Sequence, residues 1–552
     1  MRTVAIALLL LGSGPLYEAQ QQAPPKLAVI LMVDQMRADY VDHFKGDWTA
    51  GLKRLVTQGA WFRRAAYPYL TTVTCAGHAT VASGAFPHTH GVFQNGWWDR
   101  GASRVMTCTE DPNVMDLGYN TSVMGGDSGY RLLIPSFADE MRSQRAAHVV
   151  SLSLKDRSAI MLAGHGADVV TWLSSSLDDW DTSSAFSRQP VAAVKAFSDA
   201  NPIDADYGKT WSRLLPDSKY QGPDDGLAEM PPRGWTRTFP HRLESSSDKP
   251  DFGFHTQWTT SPYSDAYLGR FAAALVESLR LGAHDGTDVL AVSFSAPDIV
   301  GHAFGPRSQE VQDVYARLDQ TIGALFGTLD AKVGREQYVV ALAGDHGVTP
   351  IPEQIVKSGR DAGRIDLKTV VDTAERGAEA ALGAGKHVAR FYPPNDLYFQ
   401  PGTYERLTSA PATLDAIVKA LAGIPGIQRV FRSEELRDAA HASDALLRAA
   451  ALSYVPGRSG DLILTARPGW IAALAPLGTS HGSATADDQR VPILFMGRGV
   501  KPGAYSQPAT PADIAPTLAA ICGITMSKAE GRVLREALAA VPRRPTAERS
   551  QR

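Results

Sequence analysis

The chain has 552 residues, 44% of them hydrophobic and 20% charged, which is enough apolar content for a large buried core and excludes a disordered or collagen-like polymer. Lys and Arg number 55 against 58 Asp and Glu, a net charge of −3, so no global field draws the chain to nucleic acid or an anionic membrane. Three cysteines, Cys75, Cys108 and Cys522, allow at most one disulfide, and stability therefore rests on packing.

The first residues, MRTVAIALLLLGSG, set one Arg before an apolar run from Val4 to Leu11. The run is too short to span a bilayer core of about 30 Å. It reads as a secretory signal over residues 1–22 and implies export, to the periplasm, with no membrane anchor after its removal. Next comes KLAVILMVDQ, a continuous apolar run broken at Asp34. The stretch YLTTVTCAGHATVASG turns from extended, Thr-rich chain into a small-residue helix with Thr74 near its start. Free N–H groups and the helix dipole favour a phosphate there, so Thr74 is a candidate nucleophile; an N-cap is its alternative role. Residues 86–260 are rich in Trp, Tyr, Gly, Ser and Asp and read as long excursions over a sheet with some structure of their own.

Further apolar runs follow: TDVLAVSFSAPD ends at Asp298, QYVVALAGDH reaches Asp345, and VPILFMG starts at Val491. Runs of this kind are strands with both faces covered. Between the first two lies VQDVYARLDQTIGALFGTL, with helical spacing of its apolar positions. The pattern predicts an α/β fold: a mainly parallel central sheet flanked by helices, with a smaller α/β subdomain inserted at about 355–475 and a frayed tail at 541–552. Ligand sites in such sheets form beyond the carboxyl ends of strands, where Asp34, Asp298 and Asp345 converge. His302 falls four residues after Asp298, His346 adjoins Asp345, and His481 lies in GTSHGS. Three carboxylates and three imidazoles suit two divalent ions, Zn²⁺ before Mn²⁺. His78, close to Thr74, is expected to support the site rather than act in it.

The set LMVDQMRADY, TTVTCAGHATVASG, HGVFQNGWWD, SLKDRSAI, APDIVGHAFGP, LAGDHG and TSHGS resembles the alkaline phosphatase superfamily. Within it, the chain is most similar to bacterial phosphomonoesterases with a threonine nucleophile, relatives of the nucleotide pyrophosphatase/phosphodiesterases. The resemblance implies one alkaline-phosphatase-like catalytic domain over residues 26–540. It also implies a site with two Zn²⁺ ions, one held by Asp298, His302 and His481, the other by Asp34, Asp345, His346 and the Thr74 oxygen. Asn95, Lys155 and Arg157 would touch phosphate oxygens, and small phosphate monoesters would be hydrolysed through a phosphothreonine intermediate. The sulfatase motif of the superfamily is missing, because Cys75 is followed by Ala76, Gly77, His78 and Ala79. Two alternatives stand beside this reading. One is a phosphodiesterase or nucleotide pyrophosphatase with a nucleoside against Trp97, Trp98 and Tyr130; the other is a non-catalytic exported protein that binds metal and phosphate.

Overall fold

The computed structural model describes residues 23–539, so the expected signal segment and the tail at 541–552 lie outside the described residues. Five parallel strands form the centre of a ten-stranded sheet, in the order Tyr338–Ala343, Leu27–Val33, Asp288–Phe294, Val149–Ser153 and Val169–Leu173. The expected α/β class holds. Every residue of Leu27–Val33 is buried, and successive side chains feed opposite layers. Leu27, Val29, Leu31 and Val33 pack into one core with the helices Pro262–Ser278 and Gln309–Leu329. Ala28, Ile30 and Met32 pack into the other with Thr74–Ser83, Asp156–Ala163 and Ile514–Cys522. A period of two on a strand covered twice gives the unbroken apolar run seen in the sequence.

Antiparallel pairings flank this parallel centre on both sides. Ile493–Gly497, from the VPILFMG run, pairs antiparallel with Tyr338–Ala343. At the other edge Trp180–Ser183 and Asp116–Gly118 are added. The stretch 86–260, expected to run over the sheet with some structure of its own, goes further and supplies four strands of the central sheet itself. Those strands are only three to five residues long and sit among polar turns, which leaves no long apolar run to read.

Between 355 and 475 the chain builds a four-stranded antiparallel sheet, Val388–Tyr392, Asp396–Phe399, Leu462–Ala466 and Ile427–Arg432 in spatial order. It is backed by helices Leu367–Leu382 and Pro411–Ala422 around its own core. The turn between its first two strands, at Pro393 to Asn395, returns to the main body: Asn395 Oδ1 accepts the Thr71 hydroxyl at 3.2 Å. Cys75 and Cys108 are joined by a disulfide, and Cys522 is a buried free thiol.

Candidate metal centre and nucleophile

Parallel strands in register end together, and their ends assemble the site. Leu27–Val33 lies between Asp288–Phe294 and Tyr338–Ala343, with Met32 opposite both Ser293 and Ala343. Asp34 follows the central strand directly and donates its N–H to Phe294 O at 2.9 Å. Asp345 and His346 come just past the neighbouring strand. Asp298 is not a strand-end residue: the strand stops at Phe294, and Asp298 occupies the first turn of helix Ala296–Phe304, whose early Pro297 is preset for a helix start. His302, one turn on, shares its face and brings Nε2 to 3.2 Å from Asp298 Oδ1.

The six residues meet as two groups, Asp298, His302 and His481 in one and Asp34, Asp345 and His346 in the other, with one ligand atom per residue within 4.8 Å of the others in its group. His346 Nε2 lies 3.4 Å from both Asp34 Oδ1 and Asp345 Oδ2. The rings of His346 and His481 stack at 3.6 Å between centroids, so the groups are neighbours. All three imidazoles are oriented alike. Nδ1 donates to a backbone carbonyl at 2.8–2.9 Å, Thr479 for His302, Gly347 for His346 and Thr72 for His481, which fixes the tautomer and leaves the Nε2 lone pair to face the group.

Thr74 is the first residue of its helix, and its hydroxyl caps nothing. Oγ1 instead points to His346 Nε2 at 3.5 Å, which removes the N-cap alternative. His78 supports it from one turn on: Nδ1 is 2.8 Å from Thr74 O and 3.3 Å from Asp345 Oδ2, and Nε2 is 2.8 Å from Ser293 Oγ.

Electrostatically the site is short of positive charge. Burial, then Asp298 and Asp345, push the Asp34 carboxyl up to about 7. Burial works against the charged form of Asp298 too, but Lys155 and His302 outweigh it and hold that carboxyl well below its ordinary range. Burial lowers His346 to about 4, and burial with the neighbouring imidazoles lowers His481, so both are neutral with their lone pairs available. Lys155 Nζ sits 2.5 Å from Asp34 Oδ2 and from Asp298 Oδ2, bridging the two groups. Asp34 Oδ1 and Asp345 Oδ2 are buried without a hydrogen-bond partner. Orphaned carboxylate oxygens beside oriented imidazoles form a nitrogen and oxygen donor set that fits divalent cations.

Asn95 lies at the foot of the Thr74 helix, its Oδ1 accepting the Cys75 N–H at 2.8 Å. Arg157 is the second residue of helix Asp156–Ala163, which Lys155 precedes, and its Nε has no partner. Of the aromatic set considered for a nucleoside, Trp97 is out of reach, 1% exposed and enclosed in the core with Arg131 and Arg458 against its ring, while Trp98 is half-buried and Tyr130 is 58% exposed.

Two residues that sequence reasoning missed complete the centre. Gln35, in left-handed backbone at φ 65°, donates its N–H to Asp345 Oδ1 at 2.9 Å and Nε2 to Asp298 Oδ1 at 2.6 Å, tying the two groups together. The close approach needs Gly301, where a Cβ would fall 1.9 Å from Gln35 Oε1. Asp265 Oδ1 accepts the N–H groups of Ser295 and Ala296 at 3.0 and 3.3 Å and anchors the turn into the Asp298 helix. Nothing in the local sequence marks either; only the adjacency of Gln35 to Asp34 was available.

Comparison with known proteins agrees along nearly the whole chain. The family model described as type I phosphodiesterase / nucleotide pyrophosphatase matches residues 28–487. Alkaline phosphatase PhoV of Synechococcus elongatus is 30% identical over 537 residues, 94% of each chain. Alkaline phosphatase PhoK of a Sphingomonas species is 32% identical over 541 residues, 93% of this chain and 91% of that one. The crystal structure of wild-type alkaline phosphatase PafA superposes with a TM-score of 0.84 at 27% identity, covering 94% of this chain and 100% of the other.

Proposed function

Because this chain belongs to the type I phosphodiesterase/nucleotide pyrophosphatase family, within the alkaline phosphatase superfamily, we propose that it is an alkaline phosphatase that hydrolyses small phosphate monoesters through a phosphothreonine intermediate. The observation that carries this reading is a threonine hydroxyl at a helix start, uncapped, facing two donor groups whose carboxylate oxygens lack partners. Asp298, His302 and His481 would hold one Zn²⁺, and Asp34, Asp345 and His346 with the Thr74 oxygen the other. When bound, such ions supply Lewis acidity, favouring an alkoxide over an alcohol and neutralising negative charge on a departing oxygen.

The protein's own groups do the rest. Thr74 Oγ1 forms a bond to phosphorus in line with the ester oxygen, whose bond to phosphorus breaks. Water then displaces Thr74 from phosphorus and restores the hydroxyl, so one water is consumed, inorganic phosphate is released and configuration is retained. Asn95 Nδ2, Lys155 Nζ and Arg157 would face the non-bridging oxygens. Once Asp34 and Asp298 are otherwise engaged, the Lys155 ammonium is freed toward the phosphate. Two cations beside a dianion favour monoesters over diesters, which lack one charged oxygen.

The same reading takes residues 1–22 as a secretory signal, 26–540 as the catalytic domain and 355–475 as its inserted subdomain. An exported enzyme scavenging phosphate agrees with a disulfide, which persists in oxidising compartments. No helix among the described residues is long and apolar enough to cross a membrane.

Hydrolysis of an aryl phosphate, its methyl diester and an aryl sulfate, each with and without chelator, tests the proposal. The expected order is monoester far above diester with sulfate near zero, chelator silencing all and Zn²⁺ restoring the monoester rate. A diester preference would transfer the chain to the diesterase branch, and turnover in metal-free protein would refute the metal-dependent route.

A further inference from the structure

We infer that the Cys75–Cys108 disulfide positions Asn95 for the phosphate, acting through two backbone N–H groups rather than through any contact of its own with substrate. The inference rests on the proposal that Asn95 touches a phosphate oxygen.

Cys75 directly follows Thr74, and its N–H belongs to the first helical turn, where backbone donors have no acceptor within the helix. It donates to Asn95 Oδ1 at 2.8 Å. Cys108 directly follows strand Arg104–Thr107, and its N–H donates to the Asn95 carbonyl at 3.0 Å. The two N–H groups that hold Asn95, one on its side chain and one on its main chain, therefore both belong to half-cystines. The disulfide bonds these to each other across 33 residues of sequence. Both cysteines are fully buried.

The orientation of the amide is what this arrangement decides. An asparagine presents an acceptor at one end and a donor at the other. With Oδ1 committed to Cys75, the free end is Nδ2, the end an anionic phosphate oxygen requires; a flipped amide would set oxygen against oxygen. The ribbon that leads away from Asn95 is a two-stranded hairpin, Gly96–Asp99 with Arg104–Thr107, a unit of little stability by itself, whose near strand is anchored in the core by Trp97. Its far strand reaches the nucleophile's helix covalently only through Cys108. Cutting the bridge leaves every hydrogen-bonding group present but loosens the Cys108 end of the ribbon, and with it the main-chain bond that holds Asn95 relative to Thr74.

A bridge that merely stabilises the fold would make no distinction between enzymes with and without the Asn95 amide. The test is a double-mutant cycle on the Zn²⁺-loaded enzyme: Cys75→Ala/Cys108→Ala in the Asn95 and Asn95→Ala backgrounds, each confirmed folded by circular dichroism. kcat/KM for an aryl phosphate and inhibition by inorganic phosphate are read together. With Asn95 present, losing the bridge should lower kcat/KM by about tenfold, the scale of a slightly misplaced positioning group, and weaken phosphate inhibition in parallel. With Asn95→Ala, the same loss should change both by less than about twofold. Equal losses in the two backgrounds, or none in the first, overturn the inference while leaving Asn95 as a phosphate contact. A silent Asn95→Ala overturns that contact and the inference with it. Should the cysteine variants not fold, limited reduction of the native protein with a phosphine gives the same comparison. Labelling should then count all three cysteines as thiols, where the oxidised protein exposes Cys522 alone on denaturation.

Discussion

Thr74 gains nothing for the helix it opens: a threonine beside a helix start is normally worth keeping for its cap, and this one makes none. Its hydroxyl is therefore free to be judged on chemistry. Thr74→Ala should lower kcat/KM for an aryl phosphate by ~10³-fold or more, while Thr74→Ser should retain a measurable fraction, since only the oxygen is needed. An alanine variant with near-native turnover would remove the covalent route. Lys155 and Arg157 make a separable claim. Replacing either by alanine should cost about 10²–10³-fold on the monoester, the usual scale for a lost charge-stabilising donor, and much less on the methyl diester. Equal losses on the two substrates would reduce both residues to structural roles. At this scale the six candidate ligands were legible because Asp34, Asp298 and Asp345 follow apolar runs closely, His302 and His346 sit in short motifs with two of them, and His481 lies in GTSHGS. Gln35 and Asp265 were not, because a left-handed glutamine and a carboxylate reaching across from another helix leave no local pattern.

Elements bring those residues together only if they approach closely enough. The Thr74 helix lies so near the Asp345 turn that a Cβ on Gly77 would fall 2.2 Å from Asp345 O, a backbone atom that cannot swing aside. Gly77→Ala should therefore push the helix away from the strand ends. The expected cost is about 1–3 kcal/mol of stability, typical of overpacking, with a loss of kcat/KM larger than that of a helical Gly→Ala change elsewhere. Gly327→Ala is the control, because a Cβ there meets nothing within 4 Å. If both variants keep native activity, the helix is not fixed by this contact. The long buried strands and the helix Gln309–Leu329 could be read from periodicity alone. The short strands Val149–Ser153 and Val169–Leu173 could not, since five residues carry too little pattern and their place in the sheet is set by tertiary packing. So three of the five central strands are foreseen, and the far side reads only as excursions over the sheet with some structure of their own.

For the whole molecule, pH acts on stability through buried carboxyls that are not among the candidate metal ligands. Glu310 is wholly buried at the start of helix Gln309–Leu329, its Oε1 3.0 Å from Nε2 of His241, whose ring lies among Trp211, Trp235, Phe239 and Phe304. Burial raises Glu310 to about 8, and burial together with Glu310 raises Glu229 to about 8. Burial lowers His241 to about 4, so near neutrality a protonated Glu310 donates to a neutral imidazole. The signs follow from which state holds more protons. Between pH 4.5 and 8 the folded chain keeps protons on Glu310 and Glu229 that the unfolded chain has lost, so their contribution to stability declines as pH rises and is gone above about 8. His241 acts oppositely, but only between about 4 and 6.5, because above 6.5 it is neutral in both states. Above pH 6.5 the carboxyls alone set this part of the slope. Thermal unfolding of the Zn²⁺-saturated enzyme should show Tm falling from pH 6.5 to pH 8.5. Glu310→Gln, which keeps the shape and the donor to His241 but cannot ionise, should flatten that fall and leave kcat unchanged at pH 7. An identical slope in the glutamine variant would mean that Glu310 is already ionised at neutral pH and that its charge is met by groups other than His241.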